Sequence, residues 1–178
     1  MSLRALHLLL EKLPPDRMTP EELRALGAGW PDGLECPQLC TLACFSDQGY
    51  TRTALHRTRG WELLVIGWLP GQRTVPHGHG ESFGLTCVLQ GTLTEVGYSL
   101  VPGGQLAKGA RRTYRTGGVF HEQPDTIHHV EHAGRGRTIS LHLYAPPLQR
   151  MELYEAATGT SHPRESGRRA PKSSIMAR

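Results

Sequence analysis

The sequence predicts a mainly β, single-domain fold: a small β-barrel or jelly roll preceded by α-helices. Three observations predict it. The chain has 178 residues, 38% of them hydrophobic, which suits one domain around one core. It carries 21 Gly and 13 Pro, a composition of turns rather than of a helix bundle. From Tyr50 onward it breaks into short apolar or alternating segments bounded by turn residues, the pattern of a sandwich or barrel.

The elements follow in order. Leu3, Leu6, Leu9, Leu10 and Leu13 stand at helical spacing, and Pro14-Pro15 end that helix. Thr19 reads as an N-cap with Pro20 at the first helical position. A second helix is predicted to about Leu26, stopped by Gly27 and Gly29. Segment 30–49 is ambiguous, with a short helix near 36–44 despite Pro37. Strands are predicted at 51–55, 61–69, 85–90, 92–98, 111–115, 119–123, 127–132 and 137–144. Gly91 makes a hairpin of 85–90 and 92–98, and Pro146-Pro147 close the last strand. Residues 160–178 are polar, Arg-rich and rich in Pro, Gly and Ser, and read as a disordered tail. The expected organisation is a helical segment at 1–49 packing on the barrel, a β-barrel core at 50–159 and a basic tail at 160–178.

Charge and composition narrow the function classes. The net charge is +4, from 20 basic and 16 acidic residues. Five of the basic residues and one acid lie in 161–178, which leaves 15 of each in the body. A neutral body argues against a nucleic-acid face. No run of 18 apolar residues exists, so no membrane span is expected. The N-terminal apolar stretch is interrupted by His7 and Glu11 and lacks a small-residue cleavage site, so a cytoplasmic location without a secretory signal is expected. A monomer is expected. The thiols of Cys36, Cys40, Cys44 and Cys87 are then free. The spacing of the first three is read as one buried helix face rather than a zinc site.

The chemistry gathers on histidines. In His77-Gly78-His79 the two imidazoles project to one face of a strand. Two imidazoles buried together without partners are costly, and a cation resolves the cost. Gly71, a five-residue gap, His77-x-His79 and then Gly91 resemble the first motif of the cupin superfamily. That motif carries a Glu ligand seven residues before its last Gly, where this chain has Gly84. A second half-motif lies at Gly118, Pro124 and Ile127-His128-His129-Val130-Glu131. His128 shares a face with Val130, which favours it as an inward ligand; the spacing from Pro124 favours His129 by one residue. The outcome is three neutral imidazoles and no carboxylate. Such a set leaves open positions on a metal that prefers five or six ligands, and zinc with three His is the physical competitor. Farther on, Ser140, His142 and Tyr144 share one face of a strand. That face is either solvated or a hydrogen-bonded relay.

These residues resemble the cysteine dioxygenase family. The resemblance runs from about Tyr50 to Pro147. It rests on Tyr50-Thr51-Arg52, Trp68, His77-x-His79, Leu89-Gln90-Gly91, His128-x-Val130-Glu131 and Ser140-Leu141-His142-Leu143-Tyr144-x-Pro146-Pro147. It favours His128 over His129 and an inward Ser140 face. It implies a cupin barrel with Fe(2+) on His77, His79 and His128. It implies L-cysteine as substrate, bound through thiolate and amine, with Arg52 on its carboxylate and Tyr50 and Tyr144 assisting. Tyr144, His142 and Ser140 are the implied catalytic residues. O2 is the co-substrate, and cysteine sulfinic acid is the product of this step of cysteine catabolism. Mammalian members carry a Cys where Gly84 stands, able to cross-link to the tyrosine matching Tyr144; here Tyr144 is expected to stay a free phenol. Related bacterial enzymes preferring 3-mercaptopropionate tend to have Gln at the Arg52 position. That thiol is the alternative substrate, and a non-catalytic metal-binding sensor cupin is the alternative class.

Overall fold

The computed structural model describes residues 11–29 and 37–154, and the main chain of 161–165. Most of the helix expected at 3–13 lies outside them, and residues 11–13 form a turn. Helix α1 spans Pro20–Gly29. Its start is a capping box: the Glu22 amide donates to Thr19 Oγ1 at 3.2 Å and the Thr19 amide to Glu22 Oε2 at 2.7 Å. The helix runs past its expected stop because Gly27 is a contact rather than a terminator. A Cβ there would lie 2.8 Å from both Leu85 Cδ1 and His121 Cε1, so the bare backbone lets α1 lie close against the sheet. Helix α2 is a single turn, Pro37–Cys40. It ends before Cys44, which is exposed, so the cysteines do not line one helix face; Cys36 lies outside the described residues.

The strands are β1 (Thr51–Arg57), β2 (Glu62–Trp68), β3 (His77–Gly78), β4 (Phe83–Gln90), β5 (Thr92–Leu100), β6 (Leu106–Arg115), β7 (Val119–Glu122), β8 (Ile127–Glu131), β9 (Thr138–Ala145), β10 (Arg150–Tyr154) and β11 (Ser161–Glu165). They form two antiparallel sheets, ordered β1-β2-β9-β4-β7 and β11-β10-β3-β8-β5-β6. This is the mainly β architecture that the sequence predicts.

The central strands of the first sheet, β2, β9 and β4, are buried on both faces, which is why β2 reads as an apolar run from Leu63 to Trp68. The sheet's outer face packs Leu63, Leu85, Leu141 and Leu143 against Met18, Leu23 and Leu26. Its inner face joins the second sheet through Ile66, Trp68, Val88, Leu93, Phe120 and Val130. The two faces of β9 are thereby separated: Ile139, Leu141 and Leu143 enter the outer core, and Ser140, His142 and Tyr144 face the interior. β6 is an exposed edge carrying Lys108, Arg111, Arg112 and Arg115, charges that resist edge-to-edge pairing.

Two strands depart from the sequence reading. β10 is absent from it, although Arg150-Met151-Glu152-Leu153-Tyr154 alternates polar and apolar. Residues 161–165 fall in the segment read as a disordered tail, yet they pair along all of β10. An added edge strand is held by main-chain hydrogen bonds, which composition does not register. No helix among the described residues is long and apolar enough to cross a membrane.

Candidate metal centre

β3 and β8 pair antiparallel with His77 directly opposite His128. His79 follows two residues after His77, so it projects to the same side. The three rings converge with centroids 4.7–5.0 Å apart. One ligand atom from each lies within 4.8 Å of the others, and all three side chains are buried. Among the described residues no carboxylate joins this group.

Each imidazole has an oxygen beside its Nδ1. Val75 O lies 2.9 Å from His77 Nδ1, and Glu95 Oε1 lies 3.0 Å from His128 Nδ1. Glu122 Oε2 lies 3.4 Å from His79 Nδ1. At His77 and His128 this hydrogen bond holds the proton on Nδ1 and leaves Nε2 as the lone-pair atom, whereas His79 Nδ1 faces its oxygen without a hydrogen bond. His79 Nε2 and His128 Nε2 are buried with no hydrogen-bond partner. Buried nitrogens normally find one, so these two orphaned lone pairs fit a cation. Burial holds His77 down to about 3 and His79 well below the usual imidazole range, with the neighbouring imidazoles adding to the effect. His77 and His79 are therefore neutral at neutral pH, as ligands must be.

Glu95 and Glu122 are absent from the sequence reading, and both stand directly behind the cluster. Glu122 is 1% exposed and sits on β7 opposite Gly84 of β4. A Cβ on residue 84 would lie 1.9 Å from Glu122 Oε2. The space where the cupin motif places its ligand side chain is thus filled by a carboxylate from the adjacent strand. The signal for it was parity: Glu122 alternates with inward-facing Phe120. Burial pushes the Glu122 carboxyl up to about 7, and a cation on the imidazoles would act to lower it.

A hydrogen-bonded chain runs beside the cluster. Trp68 Nε1 donates to Ser140 Oγ at 2.9 Å, and Ser140 Oγ lies 2.7 Å from His142 Nε2. His142 Nδ1 lies 3.2 Å from Tyr144 Oη and 2.9 Å from Thr86 Oγ1. Thr86 Oγ1 donates to Glu122 Oε1 at 3.0 Å. Burial holds His142 down to about 3, so its ring is neutral, and pushes the Tyr144 phenol well above its usual range. Leu64 and Leu148 pack against Tyr144. Glu62 Oε1 fixes Leu148 by accepting its amide at 3.0 Å.

His77, His128, Tyr144 and Glu122 share the wall of one small cavity with Tyr50 and Arg52. Tyr50 stacks on Trp68 with centroids 4.7 Å apart. Arg52 Nη1 faces Met151 Sδ at 3.7 Å, and Arg52 has no carboxylate partner among the described residues.

The other histidines among the described residues lie elsewhere. His129 is buried, points away from the cluster, and bonds Tyr98 Oη at 2.8 Å. His132 lies against the carbonyls of Thr92 and Gly136, and His56 against the Trp61 ring. His121 is exposed. Burial pushes the Cys87 thiol up to about 12, and its side chain belongs to the outer core.

The family model described as cysteine dioxygenase type I matches residues 20–157. The chain belongs to this family. Cysteine dioxygenase type 1 of Rattus norvegicus is 24% identical over 159 residues, 86% of this chain and 78% of the rat protein. The Homo sapiens protein is 25% identical over 149 residues, 81% of this chain and 74% of its own. Among solved structures, a conserved Klebsiella pneumoniae protein with a double-stranded β-helix domain aligns with TM-score 0.56 and 17% identity, over 65% of this chain and 87% of that one. The cupin domain of Schizosaccharomyces pombe Cnp3 aligns with TM-score 0.50 and 12% identity, over 60% and 71%. These two likenesses show the fold. Within the cysteine dioxygenase type I family, the three-histidine cluster is a site that fits a metal ion.

Proposed function

We propose that the protein is a non-haem iron(II) thiol dioxygenase whose substrate is L-cysteine. The observation that carries this reading is a buried cluster of three imidazoles, two of which share a cavity wall with a guanidinium and a buried phenol. His77, His79 and His128 would hold the ion through Nε2. Three neutral nitrogens leave further positions on an ion that takes five or six ligands, and they leave its charge uncancelled in its own shell. That favours an anionic sulfur ligand over a neutral one. Iron(II) supplies the redox chemistry by which dioxygen reacts with sulfur. The balance is RSH + O2 → RSO2H, with sulfur oxidised and both oxygen atoms retained.

The chain's own residues bind and orient. Arg52 presents a planar fork of donors that matches a carboxylate. Tyr50, stacked on Trp68, is held at the cavity wall beside it. Tyr144 keeps its proton and offers a hydroxyl donor from a buried position, where a preorganised donor is worth more than in water. Ser140 and His142 hold that hydroxyl in place. The family membership and the small cavity support a compact thiol acid.

A thiol panel tests the reading. Ferrous-loaded protein is given L-cysteine, 3-mercaptopropionate and cysteamine under oxygen-electrode recording, with products identified by mass. The expected result is fastest turnover with cysteine to its sulfinate. Faster turnover of 3-mercaptopropionate would move the substrate assignment to that acid. No oxygen uptake with any thiol would remove the dioxygenase reading and leave a binding cupin.

A further inference from the structure

Glu122 touches two parts of the site at once. Its Oε1 accepts from Thr86 Oγ1 at 3.0 Å, and its Oε2 faces His79 Nδ1 at 3.4 Å. Oε2 and His79 Nδ1 are both buried, and neither has a hydrogen bond among the described residues. Thr86 Oγ1 in turn lies 2.9 Å from His142 Nδ1. The carboxylate occupies its position because residue 84 has no side chain.

We propose that Glu122 is a positioning residue that couples the metal ligand His79 to the Tyr144 relay, accepting a hydrogen bond from Thr86 at Oε1 and drawing one from the facing His79 Nδ1 to Oε2 when the imidazoles hold an ion. The proposal rests on His77, His79 and His128 being metal ligands, and it deepens that reading. A carboxylate is acceptor-only on both oxygens, and Thr86 has one hydroxyl proton. Spending that proton on Oε1 makes Thr86 Oγ1 an acceptor for His142 Nδ1–H. His142 Nε2 is then bare and takes the Ser140 hydroxyl proton, while Trp68 supplies Ser140 from behind. Tyr144 Oη, 3.2 Å from Nδ1, meets an N–H rather than a lone pair. Its own proton is therefore directed away from His142, into the cavity. On the other side, Oε2 holds the His79 proton on Nδ1 and leaves Nε2 free to ligate. One carboxylate thus sets the direction of the relay and the tautomer of a ligand.

Glu122→Gln separates the two jobs, because an amide has one acceptor end and one donor end. With its oxygen toward Thr86, its NH2 faces His79 Nδ1 and drives the proton to Nε2, removing the lone pair. Turned over, its NH2 donates to Thr86, which then donates to His142 Nδ1 and reverses the relay. The test uses cobalt(II) titration of the metal-free protein followed by d–d absorption, and histidine 15N NMR of the zinc-loaded protein. Unfolding midpoints show that each variant is folded. The expected result for Glu122→Gln is cobalt affinity at least about tenfold weaker, or His142 switched from Nδ1–H to Nε2–H. Gly84→Ala pushes the carboxylate out of the same space and is expected to share the loss. The double variant should be no weaker than the weaker single one. A folded Glu122→Gln that matches wild type in both cobalt affinity and His142 tautomer would overturn the coupling and leave the metal centre standing. Failure of wild-type protein to bind cobalt or zinc would overturn the metal centre and the coupling with it.

Discussion

His77 of β3 and His128 of β8 stand opposite each other in an antiparallel register, their rings 4.7 Å apart. They lie 51 positions apart in the chain, so only the sheet brings them together. Replacing either by Ala removes one member of a three-histidine group that no carboxylate joins among the described residues. The expected outcome is loss of stoichiometric iron and of turnover in both His77→Ala and His128→Ala, measured by metal analysis after gel filtration and by oxygen uptake. Retained iron and full activity in either variant would refute its place in the centre.

Arg52 faces the cavity without a carboxylate partner among the described residues. A hydrogen bond to a charged group contributes about 1.5–3 kcal/mol, which is roughly 10- to 100-fold in affinity. Arg52→Ala should raise KM by about that factor for cysteine and 3-mercaptopropionate, and much less for cysteamine, which has no carboxylate. Equal effects on all three thiols would take Arg52 out of carboxylate binding.

Tyr144 is a buried hydroxyl beside His142, and the proposed reaction uses it as a donor rather than as an anchor for the whole substrate. Tyr144→Phe should lower kcat by about 100-fold, the scale of losing one preorganised donor, with KM changed by less than about threefold. A variant that raises KM and leaves kcat intact would make the hydroxyl a binding group only.

Acid should loosen the metal-free fold. His77 and His142 are each held down to about 3, chiefly by burial, against about 6.5 in an unfolded chain. The unfolded chain takes up these protons first. Their contribution to stability is complete above about pH 6.5 and is lost as pH falls toward about 3, at about 1.4 kcal/mol per pH unit for each. Glu122, lifted to about 7 by burial, acts in the opposite sense between about pH 7 and 4.5 and offsets one imidazole. His79, also depressed, leaves the balance with the imidazoles. Urea midpoints of metal-free protein should therefore fall between pH 7 and pH 5, and less steeply in His142→Gln. A midpoint flat across that range would contradict the burial of these rings in neutral form.

The two-residue period of strands made much of this arrangement legible. Parity with Val130 singled out His128, and the structure puts its ring in the cluster while His129 turns to Tyr98. The same parity put Ser140, His142 and Tyr144 on one face. Parity alone did not say whether that face met water, because β9 is covered on both sides. Two kinds of feature stayed hidden. β11 is held by main-chain pairing, which its polar, Arg-containing sequence does not advertise. Glu122 serves the site from a strand whose only link to Gly84 is lateral pairing, so the missing side chain at 84 and the carboxylate that fills its space are 38 residues apart in the chain. An absence at one position and a buried charge at another become one fact only when the register is known.

The most direct measurement is product analysis under 18O2. Ferrous-loaded protein turning over L-cysteine should consume one O2 per thiol and give cysteine sulfinate with both sulfinate oxygens labelled. Disulfide as the product, or label in fewer than both oxygens, would contradict dioxygenation at the three-histidine centre.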